Sequence, residues 1–183
     1  MKNNKLFWFL FIMAILVLFA IIYINLGFFQ NIMVKGITTF GYPAIFIFIF
    51  IIDLFESPFN PELIASLGVI LGLNVLLVFI FAATADFLGG LTSFYIGRKY
   101  LSTKVMNSCS TNKNYQKYCK FFYKYGRLAL LVAMLTPLPN IIFVWLAGSF
   151  QMRLRDFIIF GSLPGILRIG IILLSVKGII SLF

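Results

Sequence analysis

Histidine is missing from this chain, and acidic residues are scarce: five among 183, with 11% of all residues charged. Without an imidazole there can be no His-ligated zinc site, no Ser-His or Cys-His nucleophile and no histidine proton relay. Cysteine is nearly absent too. Cys109 and Cys119 match no metal-ligand spacing and lie in a lysine-rich stretch, so reduced, unpaired thiols are expected there and no metal site. A charge content this low also excludes an ordinary soluble domain, in which about a quarter of the residues are charged.

What fills the space is apolar. Hydrophobic residues make up 62% of the chain and mean hydropathy is +1.05. The apolar runs have helical length and do not alternate in ten-residue segments, so an all-α integral membrane protein is expected rather than a barrel. Fifteen basic residues against five acidic ones give a net charge of +10. In so apolar a chain that surplus points to anionic lipid and not to nucleic acid. Gly-x-Gly-Asp, Gly-x-Ser-Gly and Asp-x-x-Asp-Gly motifs are all lacking, so neither an intramembrane enzyme nor a cofactor is expected.

Residues 1–41 form the first unit. Lys2 and Lys5 precede an apolar run over 6–24, longer than a signal-peptide core and without a small-residue cleavage site, so an N-terminal transmembrane helix with a cytoplasmic start is expected. Residues 25–41 read as a loop or surface helix on the far side.

Residues 53–62, Asp-Leu-Phe-Glu-Ser-Pro-Phe-Asn-Pro-Glu, hold three of the five acidic residues and two of the six prolines. The apolar arms on either side, 43–55 and 63–73, each fall short of the roughly 20 residues needed to cross a hydrocarbon core. Pro58 and Pro61 cannot donate backbone hydrogen bonds and push the preceding residue out of helical geometry. Two half-helices meeting at such a break predict a re-entrant hairpin over 42–73. The pattern recurs: arms at 128–136 and 141–150 flank Pro137 and Pro139 and predict a second hairpin over 128–150. Spanning helices are expected over 74–97, with Asp86 near its middle and Gly89 and Gly90 as packing residues, and over 157–176, with Arg168.

Between them, 98–127 carries eight Lys or Arg and no acidic residue, which places this loop in the cytoplasm. At 100° per residue Lys113, Lys117, Lys120, Lys124 and Arg127 share one stripe, with Tyr115, Tyr118, Phe122 and Tyr125 opposite. That pattern predicts an amphipathic helix on the inner leaflet ending at Gly126, the alternative being a solvated linker that packs its aromatics on the membrane domain. Traced through, the crossings give a hairpin plus a helix, twice, in opposite orientations. This is an inverted repeat in a cell-membrane, multi-pass domain over 42–176.

The run Leu88-Gly89-Gly90-Leu91-Thr92, Gly97-Arg98, Lys124-Tyr125-Gly126, Pro137, Leu146-Ala147-Gly148 and Arg168 resembles the DedA superfamily, also called VTT or SNARE-associated Golgi proteins, and most of all its small YqaA-like branch. The resemblance covers about 40–176. It implies two opposed re-entrant hairpins, with Asp53 and Glu62 matching the family's paired acidic positions. It also implies transport of lipid or lipid phosphate, as flippase or scramblase, coupled to a proton or sodium ion. One departure stands out. Met134 and Asn140 occupy the positions where typical members place arginines around the second break, so a cationic phosphate clamp is missing.

Together these readings gather Asp53, Glu56, Glu62, Asp86, Asn140 and Arg168 as candidate substrate- or ion-binding residues around a polar cavity. Pro58, Pro61, Pro137 and Pro139 make the breaks, and Gly89, Gly90 and Gly148 pack helices. Desolvation disfavours a charged carboxylate and a neighbouring cation favours it, so such a pair can hold or release a proton. Alternatively Arg168 neutralises the carboxylates permanently and only pins the hairpins. Asn140 equally suits a helix cap. The expected partners are membrane lipids, with anionic inner-leaflet lipids at the basic loop, a proton or sodium, and room for a homo-oligomer. A small-cation or drug exporter and a non-transporting assembly factor are the competing functions.

Overall fold

The computed structural model describes residue 27 and residues 30–54, 60–103, 113–136 and 140–182, with the side chains of 113–119, 121 and 140 left aside. The expected first span at 6–24, Glu56, Pro58, Cys109, Pro137, Pro139 and the side chains of Cys119 and Asn140 lie outside the described residues. Every regular element among the described residues is helical.

Residues 30–40 form helix α1, three turns long with one face on the core: Met33 and Ile37, four apart, are buried while Phe40 is exposed. Gly41, at φ 64°, lets the chain turn directly into α2, Tyr42–Ile52. Helix α3 spans Pro61–Ile70 and opens on a proline, whose missing N–H costs nothing at a first helical position. At 11 and 10 residues these helices are about 16 and 15 Å long, half a bilayer core. The Tyr42 hydroxyl accepts a hydrogen bond from the Asn74 N–H at 3.1 Å, so the chain after α3 returns beside the start of α2. Tyr42→Phe is expected to cost about 1 kcal/mol through loss of that bond, measured by unfolding in detergent.

Helix α4, Val75–Ile96, starts at Asn74, whose Oδ1 accepts from the N–H groups of Leu76 and Leu77 at 2.9 and 3.5 Å. It continues through a widened π turn over Gly97–Leu101. Helix α5 runs Lys113–Leu135 and α6 Asn140–Ser149. Helix α7, Leu154–Ile180, contains a second π turn at Ile158–Ser162. Pro164 explains that turn, because its ring and missing N–H disrupt the regular bond to the preceding turn, and widening accommodates both.

The sequence-based end of the basic helix at Gly126 is not found. Helix α5 passes through Gly126 unbroken, joining the basic stretch to the first arm of the second pair in one 23-residue helix. Gly126 is buried against Phe122 and Met152, where a Cβ would lie 2.9 and 3.5 Å from their side chains. Close packing, not chain reversal, uses this glycine.

The α6–α7 turn is closed by Gln151 and Met152, whose N–H groups bond to the Gly148 and Ala147 carbonyls at 2.9 and 3.0 Å. This double bond pattern calls for a left-handed residue, and Gln151 supplies it at φ 54° without being glycine. Gln151→Gly is expected to stabilise the fold by about 1 kcal/mol in the same unfolding measurement.

Packing is reciprocal. Helix α2 lies along α4 and α3 along α7, while α5 lies along α7 and α6 along α4 and its π turn; α4 and α7 touch each other. Two apolar cores result. One gathers Ile37, Ile45, Ile49, Ile64, Val78 and Ile169, and the other Phe94, Leu130, Met134, Val144, Ala147 and Phe157. Met134, at a position where typical family members were expected to carry arginine, is thus a core residue. Helices α4 with its π turn and α7 are 27 residues each and apolar enough to cross a membrane. They turn Leu76, Ile80, Leu88, Leu163, Leu167 and Ile171 outward, an apolar belt that water would penalise.

Candidate functional site

Between the two apolar cores, near the middle of both long helices, the chain gathers one buried and three half-buried charges. Asp86 lies on α4 and Arg168 on α7, with core residues above and below each. Glu62 stands in the first turn of α3, 5% exposed. An ion pair joins it to Arg168, whose Nε and Nη2 both lie 2.6 Å from Glu62 Oε1. Arg168 Nη1 donates to the Thr136 carbonyl at 3.1 Å. Thr136 directly follows α5 and directly precedes Pro137, a proline of the second break. One guanidinium from α7 therefore holds the start of α3, just past the first break, and the end of α5, just before the second.

Asp53 follows α2. Its backbone carbonyl accepts a short hydrogen bond from Ser93 Oγ, a fully buried hydroxyl on α4. Its side chain lies over Gly89, where a Cβ would come 2.6 Å from Asp53 Cβ and 3.1 Å from Oδ2. Oδ2 is buried without a hydrogen-bond partner among the described residues. Asp86 Oδ2 lies over Gly165 in the same manner, 3.3 Å from where a Cβ would be. Each aspartate thus occupies room left by a glycine on the facing helix. Asp53 interacts electrostatically with Asp86, Glu62 and Arg168, and Asp86 with Glu62 and Arg168.

A family model for the VTT domain matches residues 58–177. The chain belongs to the VTT-domain family. The VTT domain takes in Glu62, Asp86 and Arg168 and leaves Asp53 and α2 before its start. The uncharacterized protein MJ0201 of Methanocaldococcus jannaschii is 30% identical over 151 residues, 82% of this chain and 93% of that one. No solved structure matches. With its VTT domain and two long apolar helices, the chain is a helical membrane protein of the DedA and SNARE-associated superfamily.

Of the residues singled out in the sequence, the VTT domain of this chain and the segment before it bring together Asp53, Glu62, Asp86 and Arg168, with Gly89 as the floor under Asp53. Pro61 opens α3 and is buried. Gly90 stands apart: its nearest neighbour, the Phe157 ring, would be 3.7 Å from a Cβ, an ordinary contact. Gly148 packs at a different crossing, against the Phe94 carbonyl and Arg98 N–H. There Ser149 Oγ donates to the carbonyls of Trp145 at 2.7 Å and Gly97 at 3.3 Å. Sequence reading missed Gly165, Ser93 and the Thr136 carbonyl. Gly165 had a signal, since it sits three residues from Arg168 on one helix face and an aspartate on the opposing helix needs a small neighbour. Ser93 and Thr136 had none, because a hydroxyl and a backbone carbonyl acquire their roles only from tertiary contact. Among the described residues no group of Cys, Asp and Glu is placed to hold a metal ion.

Proposed function

We propose that this VTT-domain protein moves a lipid or lipid phosphate across the bilayer, as a flippase or scramblase of the YqaA-like branch. The observation that carries the reading is the Arg168 bridge, which ties Glu62 to the Thr136 carbonyl across two chain breaks at the middle of two membrane-length helices. A buried ion pair is an expensive way to fasten helices that apolar packing could hold, and ionisable residues at membrane depth are costly enough to mark substrate or ion paths. The short α2 and α3, the return of Asn74 to Tyr42, and the reciprocal packing of the two halves support opposed re-entrant hairpins in an inverted repeat. On this reading the N-terminus and 98–127 are cytoplasmic, lipids are the partners, and no enzymatic step is involved.

Glu62 and Arg168 form a gate that opens when a lipid phosphate takes the guanidinium. The displaced carboxylate then accepts a proton or sodium ion, with Asp53 and Asp86 as neighbouring acceptors. Export of a small cation or drug is the second reading, favoured by the excess of three carboxylates over one guanidinium in the cluster. An assembly role would need only the pinning function. Lipid translocation in reconstituted vesicles decides. Wild type is expected to move fluorescent lipid faster than empty vesicles, and Glu62→Gln to abolish most of the gain. Equal rates in protein-containing and empty vesicles would reject lipid transport, and cation-driven proton release would then favour export.

A further inference from the structure

A pocket of about 490 Å³ opens where the middle of α5 meets the turn between α6 and α7, away from the central ion pair. Lys124, Arg127, Arg153 and Asp156 line it, together with Gln151. Its apolar wall is built from Phe122 and Phe150, stacked at 4.5 Å between centroids, with Met152 beside them. Tyr123 meets the Phe150 ring edge-on at 5.4 Å.

The charges are unbalanced by design of the sequence. Residues 87–183 hold twelve basic residues and one acidic residue, Asp156. Arg127 holds Asp156 at 2.8 Å, which leaves the pocket with three cations against one carboxylate, a net +2. Lys124 and Arg153 are exposed, and neither has a carboxylate partner among the described residues. Gln151 contributes amide donors from a left-handed backbone position where glycine would be easier, so a side chain is kept at the rim at some conformational cost.

We propose that this pocket binds a phosphate monoester. A monoester carries about −1.5 to −2 charges at neutral pH and three strong acceptor oxygens, matching the net charge and the donors of Arg153, Lys124 and Gln151. The Phe122–Phe150 wall receives the carbon skeleton next to the phosphate. A lipid headgroup and a soluble phosphate share this chemistry, and a zwitterionic headgroup does not. The site stands apart from the Glu62–Arg168 pair and from the transport reading, so either can fail alone.

Calorimetric titration of the full chain in detergent micelles, blanked against empty micelles, tests it. The probes are short-chain phosphatidic acid, the matching phosphatidylcholine and inorganic phosphate. Phosphatidic acid is expected to bind and phosphatidylcholine not. Lys124→Gln/Arg153→Gln is expected to weaken binding about tenfold or more, because two charge-assisted bonds are lost. A control with the same charge change outside the pocket, Lys99→Gln/Arg155→Gln, is expected to stay within about twofold. Binding of phosphatidic acid alone identifies a lipid as the source, and equal binding of inorganic phosphate identifies a soluble one. The proposal is overturned if neither phosphate probe binds, if phosphatidylcholine binds as tightly, or if the control loses as much as the pocket variant.

Discussion

Arg168→Leu is expected to destabilise the protein by about 3–5 kcal/mol, because it leaves the buried Glu62 carboxylate, beside the half-buried Asp53 and Asp86, without its cation. Glu62 would lose its partner at 2.6 Å, and Asp53 and Asp86 would face it without compensation. Glu62→Leu should cost less, since Arg168 keeps two aspartates within electrostatic reach and the Thr136 carbonyl at 3.1 Å. The double variant Glu62→Leu/Arg168→Leu should be more stable than Arg168→Leu alone, as a buried pair replaced by apolar side chains of similar volume is often close to neutral. Unfolding of all four proteins in detergent gives the cycle. The double variant also separates the two roles of the pair: if it folds near wild-type stability yet moves no lipid, the charges serve transport and not merely assembly. If the two losses simply add, the pair is not coupled and the bridge described here does not form.

The second large effect concerns adjacent glycines with opposite expectations. Gly89→Ala places a methyl 2.6 Å from Asp53 Cβ and 3.3 Å from the Phe50 carbonyl, neither of which can step aside. A loss of about 1–3 kcal/mol is expected, with displacement of Asp53 from the cluster. Gly148→Ala meets the backbone of Phe94 and Arg98 even more closely and should cost at least as much. Gly90→Ala finds only the Phe157 ring at 3.7 Å, so the helix-propensity gain of Ala over Gly, about 1 kcal/mol, should emerge as stabilisation. Thermal unfolding of the three variants in detergent reads the order directly, and a stabilised Gly89→Ala would contradict the crossing of α2 on α4.

Much of this was legible in the sequence for a simple reason. Length and apolar content set the two membrane-length helices, and proline chemistry the short helices α3 and α6, because both effects are local, whereas the first arm of the second pair runs on from the basic helix in α5. Asp86, Glu62 and Arg168 stood out because charge inside apolar segments is rare enough to be conspicuous. The boundary at Gly126 was misread, since a glycine that ends a helix and one that admits a neighbouring ring look alike until the neighbour is known. Gly89 and Gly90 could not be told apart for the same reason: one residue step turns their faces apart by about 100° and only packing assigns them. The pocket under Lys124 and Arg153 was invisible, because it joins two stretches far apart in the chain and its aromatic wall pairs Phe122 with Phe150 across 28 positions.

The proposal that two hairpins enter the membrane from opposite faces and bring their tips to a polar cavity is tested by thiol labelling. Single cysteines at Phe59 and Leu138, in a chain with Cys109 and Cys119 replaced by serine, would be offered a membrane-impermeant reagent from each side of sealed vesicles. Labelling of Phe59→Cys from the outer face and of Leu138→Cys from the inner face is expected, with the ends of each hairpin reacting on one and the same side. Silence at both positions, with the ends of each arm reacting on opposite sides, would contradict it.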